Sequence, residues 1–148
     1  KTKVGFRKMT KYSIIGLMSV TSLDGLDISY CEFWQENNQW NFAIKASETV
    51  EYPISIVEKL QKALSLTQPQ ISELDTELGV FFGNSVAEFI IRHKVDPQYI
   101  ASHGHTILHQ PEKGITLQVG NGQIIKNITQ VQQQGILISQ FVLKFLFL

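Results

Sequence analysis

The stretch GLMSVTSLDGLD, Gly16 to Asp27, decides how this chain is read. It sets two Ser, a Thr, two Asp and a Gly behind the apolar run YSIIGLM (12–18), which itself holds Gly16. The apolar run predicts a first strand, and LDISYCEFW (26–34) alternates well enough to predict a second. The link SVTSLDG between them carries Asp24-Gly25, a hairpin-turn pair. ENNQ (36–39) is another turn, and WNFAIKASETV (40–50) predicts a third strand. Three consecutive antiparallel strands follow from these spacings.

Helical periods come next. PISIVEKLQKAL (53–64) places Ile56, Leu60 and Leu64 on one face, with Pro53 suited to a first turn. TQPQ reads as a break. SELDTELGVFFGNSVAEFIIRHK (72–94) opens on Ser72 with Asp75 three residues on, a capping-box-like start. Leu74, Leu78, Phe81, Phe82, Val86, Phe89 and Ile90 form its apolar stripe, and Gly79 and Gly83 allow close packing or a bend. After a DPQ turn, YIAS (99–102) predicts a short buried strand that ends at HGHT. ITLQVG (115–120) predicts another strand, and a helix opens at Gly122 with Asn121 placed to cap it. The order βββααββα indicates an α/β domain built on a mixed sheet with helices packed on it.

The bulk numbers bound the function classes. The 148 residues suffice for one domain with a core. Apolar residues make up 43% and charged residues 18%, the profile of a globular chain. A net charge of zero argues against a nucleic-acid partner or an anionic membrane surface. Cys31 is the only cysteine, which excludes an internal disulfide and a thiolate metal cluster, and makes a reducing cytoplasm the default compartment. No apolar h-region follows KTKVGFRK. Met9 is read as the natural start, so residues 1–8 are taken as an upstream extension. The end, TQVQQQGILISQFVLKFLFL, is Gln-rich and then apolar, but too short for a membrane span of about 20 residues. GILISQ is expected to add a core strand. FVLKFLFL, with no evident partner, would behave as an aggregation-prone end.

Two constellations carry chemistry. Short hydroxyls and backbone N–H groups in a tight turn hold phosphates well, with glycine allowing close approach and a nearby Asp able to order Mg²⁺ through water. The Gly16–Asp27 stretch fits that description, and it equally fits a plain hairpin whose Asp caps its own backbone. It contains neither a Walker A pattern nor a G-x-G-x-x-G fingerprint. The second constellation is SHGHTILHQPEKG (102–114). His103, His105 and His109 allow a metal site of the hydrolase type, for which further ligands are needed and only His93 is left. They also allow a polar loop at a strand's carboxyl end that meets a sugar, or histidines that satisfy backbone carbonyls. QVGNGQ (118–123) adds a tight glycine turn before a helix. Trp34 and Trp40 read as hairpin packing, and Cys31 as core.

Together GLMSVTSLDGLDISYCEF, ELGVFFGNSVAEFI and IASHGHTILHQPEKGITLQVGNGQII resemble the anhydro-N-acetylmuramic acid kinases, in order, over roughly 12–125. The resemblance implies an actin-like, hexokinase-like ATPase fold (ribonuclease H-like), in which two lobes close over ATP and Mg²⁺. It implies phosphorylation of 1,6-anhydro-N-acetylmuramic acid with opening of the anhydro ring to N-acetylmuramic acid 6-phosphate, in cytoplasmic peptidoglycan recycling. Carried over by position, the ATP-phosphate segment falls on Val20, Thr21, Ser22, Leu23, Asp24, Gly25, Leu26 and Asp27. The sugar-facing segment falls on His103, Gly104, His105 and Thr106. No metal-ligating residue is carried over.

Two departures stand out. Val20 occupies a glycine position of the family's S-G-T-S-x-D-G pattern. If that glycine needs a positive φ, a β-branched residue is expected to cost about 1–3 kcal/mol in strain and to crowd the phosphate. Second, the D-F-R motif that carries the family's catalytic Asp is absent, so no catalytic residue is assigned. The reading is thus an N-terminal lobe over 9–127, an atypical tail over 128–148 that a frameshifted reading frame would explain, no second lobe, and negligible activity for the chain alone. Two other classes stay open: a non-catalytic module that pairs with another chain, a homodimer included, and a His-based metal hydrolase.

Overall fold

The computed structural model describes residues 10–134. The expected upstream extension (1–8) and all of GILISQ and FVLKFLFL lie outside them. Strand β1 (Lys11–Ser19), β2 (Leu26–Glu36) and β3 (Gln39–Val50) form the expected antiparallel meander. Asn37 and Asn38 close the second hairpin with φ of 51° and 63°, the left-handed pair that a two-residue turn requires. Helix α1 (Ile54–Gln61) and α2 (Gln68–His93) then lead to β4 (Tyr99–Gln110), β5 (Ile115–Val119), α3 (Gly122–Thr129) and β6 (Gln132–Gln134).

The sheet is mixed, in the order β3-β2-β1-β4-β5, with β6 pairing parallel to β4. Strand β1 lies at its centre, parallel to β4 and antiparallel to β2. Centrality explains its composition: residues 14–17 are buried on both faces, so the run is continuously apolar rather than alternating. Ile15 and Leu17 enter the main core with Leu26, Ile28, Tyr30 and Ile100, under Leu74, Leu78, Phe82, Val86 and Phe89 of α2. Ile14, Cys31, Phe33 and Ala101 form a smaller cluster on the opposite face. Aromatic pairs extend that face, with Tyr12 against Trp40 at 6.1 Å and Phe33 against Phe42 at 6.0 Å. Among the described residues, no helix is long and apolar enough to cross a membrane.

Two sequence expectations need correction, and one element was not foreseen. Helix α2 begins at Gln68, not Ser72, because Thr67 and Gln70 make a reciprocal capping box and Pro69 sits in the first turn, where its missing N–H costs nothing. Asp75 therefore lies in the second turn, free for another use. HGHT is not a loop after a four-residue strand: His103–Thr106 lie inside the twelve-residue β4. The strand continues because β5 pairs with its second half, from His105↔Val119 to Gln110↔Ile115. Finally, the Gln-rich segment after α3 supplies a short strand, although its composition gave no strand period.

The glycines of α2 behave as expected. A Cβ on Gly79 would stand 2.9 Å from the Asn121 carbonyl oxygen, and one on Gly83 would stand 2.8 Å from Ile128 Cδ1. Both contacts seat α3 against α2, so the glycines serve close helix packing rather than a bend.

Candidate functional site

The link after β1 is a six-residue loop, Val20–Gly25, closed by the Ser19↔Leu26 pair. Its tight turn spans Val20 to Leu23, whose N–H donates to the Val20 carbonyl at 3.2 Å. Leu23 is the residue with positive φ, 58°, and Val20 is not among the left-handed residues. The expected backbone strain at Val20 therefore does not arise. Its side chain is 37% exposed at the mouth of the loop.

Thr21, Ser22 and Asp24 are exposed, and the Thr21 and Ser22 N–H groups have no hydrogen-bond partner among the described residues. The Ser22 hydroxyl donates to Asp24 Oδ1 at 2.6 Å and holds that carboxyl below its ordinary 3.8. Asp24 is thus ionised at neutral pH, an oxygen donor suited to a divalent cation in water. Gly25 has a separate reason to be glycine: a Cβ would stand 2.7 Å from the Val50 carbonyl oxygen. Leu26 and Asp27 belong to β2 rather than to the loop. Leu26 is fully buried in the core, and Asp27 Oδ1 accepts the Thr49 hydroxyl at 2.5 Å. Of the eight residues assigned from sequence, the first five present themselves to solvent or its edge, and the last three build the floor.

Parallel pairing of β1 with β4 brings the second constellation to the same end of the sheet. Leu17 pairs with Ser102 and Ser19 with His105, so β4 spends three residues where β1 spends two. The extra residue is a β-bulge with Gly104 at φ 70°. A Cβ there would collide with the Val119 carbonyl oxygen. The bulge shifts the pleat, which turns His105 toward the main core while alternation leaves His103 on the other side. An H-x-H pair sharing one face is therefore not what the strand provides. Among the described residues no three His, Cys, Asp or Glu side chains stand together as metal ligands. His109 is occupied with the Thr116 hydroxyl at 3.0 Å, and Thr106 Oγ1 accepts Gln118 Nε2–H at 3.2 Å.

His105 is 4% exposed, and its Nδ1 lies 2.7 Å from Ser19 Oγ. Tyr52, just past β3, donates its hydroxyl to the same Ser19 oxygen at 2.5 Å. Burial, then the charge of His103, pushes the His105 imidazole below its ordinary 6.5, and burial pushes the Tyr52 phenol up to about 12. Both groups are neutral at physiological pH. Neither Ser19 nor Tyr52 is visible as a site residue in the sequence, since their meeting depends on chain reversal through β2 and β3.

Behind the bulge, Asp75 of α2 ties down the Gly-Asn turn. Its Oδ1 accepts the Gly120 N–H at 2.9 Å and its Oδ2 accepts Asn121 Nδ2–H at 2.8 Å. Asn121 Oδ1 in turn accepts the Ile124 N–H, the cap expected from sequence.

In this mixed α/β sheet the hydroxyl-rich loop that follows β1 lies beside the glycine bulge in the middle of its parallel neighbour β4. The family described as anhydro-N-acetylmuramic acid kinase matches residues 12–140, and the chain belongs to that family. The match passes beyond residue 127 and takes in β6. Relatives bearing that name include one from Vibrio vulnificus (strain CMCP6), 35% identical over 133 residues that cover 82% of this chain and 34% of the relative. Another, from Sulfurovum sp. (strain NBC37-1), is 31% identical over 124 residues, covering 79% and 33%. A third, from Legionella pneumophila (strain Lens), is 35% identical over 125 residues, covering 79% and 32%. The chain spans about a third of the length of the curated relatives it matches.

Proposed function

We propose that this chain supplies the phosphate-binding lobe of an ATP-dependent kinase acting on 1,6-anhydro-N-acetylmuramic acid, in cytoplasmic peptidoglycan recycling. The observation that carries the reading is the convergence of Val20–Asp24 with Ser102–Thr106 through the β1–β4 pairing, in a chain of this family. The sheet order accords with an actin-like, ribonuclease H-like lobe.

Phosphoryl transfer depends mainly on positioning and on stabilising charge at the transferred group. The N–H groups of Thr21 and Ser22, unpartnered among the described residues, are suited to phosphoryl oxygens, and the two hydroxyls add adaptable donors. The Asp24 carboxylate would repel a bare phosphate, but it fits Mg²⁺ held through water. Bound there, the ion would neutralise phosphate charge. Gly25, Leu26 and Asp27 fix the start of β2, so that the loop begins and ends on rigid strands. His103–Thr106 line the neighbouring strand, where the sugar is assigned. Opening of the anhydro ring with phosphorylation, to N-acetylmuramic acid 6-phosphate, is the activity proposed for the whole kinase of which such a lobe is part.

Isothermal titration of the 148-residue chain with Mg·ATP tests the reading. Binding that weakens about tenfold or more in Asp24→Ala supports it. Wild-type chain that takes up no heat with Mg·ATP, while well folded, overturns it.

A further inference from the structure

The buried Tyr52–Ser19–His105 chain fixes the direction of its own protons. Tyr52 Oη has no other hydrogen-bond partner among the described residues, so its single proton goes to Ser19 Oγ. An unplaced phenolic proton in a site 8% exposed would cost a full desolvation penalty. Ser19 also has one proton, and the remaining neighbour of its oxygen is His105 Nδ1 at 2.7 Å. Nδ1 is thereby an acceptor, and the ring proton must sit on Nε2. His103 Nδ1 is the one side-chain polar atom sealed from solvent without a partner among the described residues. His105 Nε2 has no hydrogen-bond partner among the described residues, so its N–H is left over for a further acceptor.

We propose that Tyr52 and Ser19 are positioning residues, which hold His105 as its neutral Nε2–H tautomer and so present a fixed N–H donor to a phosphoryl oxygen bound beside the Val20–Gly25 loop. Ser19 is the last residue of β1, and the loop starts at the next position, so the relay anchors the loop as well as the imidazole. The Gly104 bulge is what makes this possible. Without the extra residue, His105 would fall on the face away from Ser19. A neutral donor suits a site that already holds a carboxylate at Asp24, because it bonds a phosphoryl oxygen without forming an ion pair with Asp24. The donor's role rests on the kinase reading above, whereas the tautomer does not.

The test is ¹H–¹⁵N correlation spectroscopy of the histidine rings in the full 148-residue chain at pH 7, first alone and then with Mg·ATP. The expected result is an Nε2–H ring for His105. In Ser19→Ala the ratio of Nε2–H to Nδ1–H should fall by about five- to tenfold, the worth of one hydrogen bond. Tyr52→Phe should lower it less, because Ser19 can still donate. An imidazolium or Nδ1–H ring in the wild-type chain overturns the relay without needing any variant to fold. With Mg·ATP, a shift of the His105 Nε2–H resonance together with the Thr21 and Ser22 amides supports the donor role. Shifts in the loop that leave His105 unmoved overturn that role alone. No shift at either place overturns the nucleotide reading and the donor role together, and an Nε2–H ring in the free chain then still separates the two failures.

Discussion

Gly104 stands so close to the carbonyl of Val119 that a single added methyl group would collide with it, and it does so at φ 70°. Two independent demands for glycine thus meet at one residue, a left-handed backbone and a backbone-to-backbone approach. Gly104→Ala should destabilise the fold by about 2 kcal/mol or more, from strain plus displacement of β5. Urea unfolding followed by tryptophan fluorescence measures it, and an unchanged midpoint would show that β4 can relax around the bulge.

Asp75 carries the next prediction. It bonds the Gly120 N–H and the Asn121 side chain from the second turn of α2. Removing it leaves two donors near the α2–α3 contact without their acceptor. Asp75→Ala should cost about 1–3 kcal/mol. Hydrogen exchange should show the loss first in α3, the element held by that turn. Uniform loss of protection across the sheet would argue that Asp75 acts elsewhere.

The sequence shows why that residue could be misread. An acidic residue three after Ser72 resembles a cap, and only the capping box at Thr67 and Gln70 releases it. The same limit explains HGHT. A glycine flanked by histidines looks like the end of a strand, because a bulge and a loop share residue chemistry. The three-strand meander, the α2 stripe and the Asn121 cap were legible, since they depend on local period and turn chemistry. The Tyr52–Ser19–His105 contact was not, because partners 33 and 86 residues apart in sequence meet only through strand register. Val20 was located as unusual, but the strain assigned to it belongs to the φ of Leu23 instead.

Stability should depend on pH through His105. Its folded imidazole titrates below the ordinary 6.5, chiefly through burial and secondarily through His103. The unfolded chain therefore binds the proton first, so the contribution is complete above about pH 6.5 and is lost as pH falls toward the folded value. Glu48 adds a second loss at lower pH. Burial alone would raise it, but bonds from His93 and Arg92 hold its carboxyl below its ordinary 4.5. Urea midpoints recorded from pH 8 to 4 should fall in both windows. The upper fall should shrink in His105→Gln, and a profile identical to wild type would remove His105 from the account.

Val20→Gly should leave thermal stability near that of the wild-type chain, or slightly below it, because Val20 is not in a left-handed conformation and glycine adds freedom to the unfolded chain. If the exposed valine crowds a phosphate, the same change should tighten Mg·ATP binding several-fold. Calorimetry separates the two effects: a stabilised variant with unchanged nucleotide affinity would reverse both expectations.

The most direct test of the central claim is the amide ¹H–¹⁵N spectrum of the chain as Mg·ATP is added. One site formed by the β1–β2 loop and the β4 bulge requires shifts in Val20–Gly25 and in Ser102–Thr106 at the same nucleotide concentration. Shifts confined to other surfaces, such as the exposed Trp40–Ile44 edge of β3, or no shifts in a well-dispersed spectrum, would contradict it.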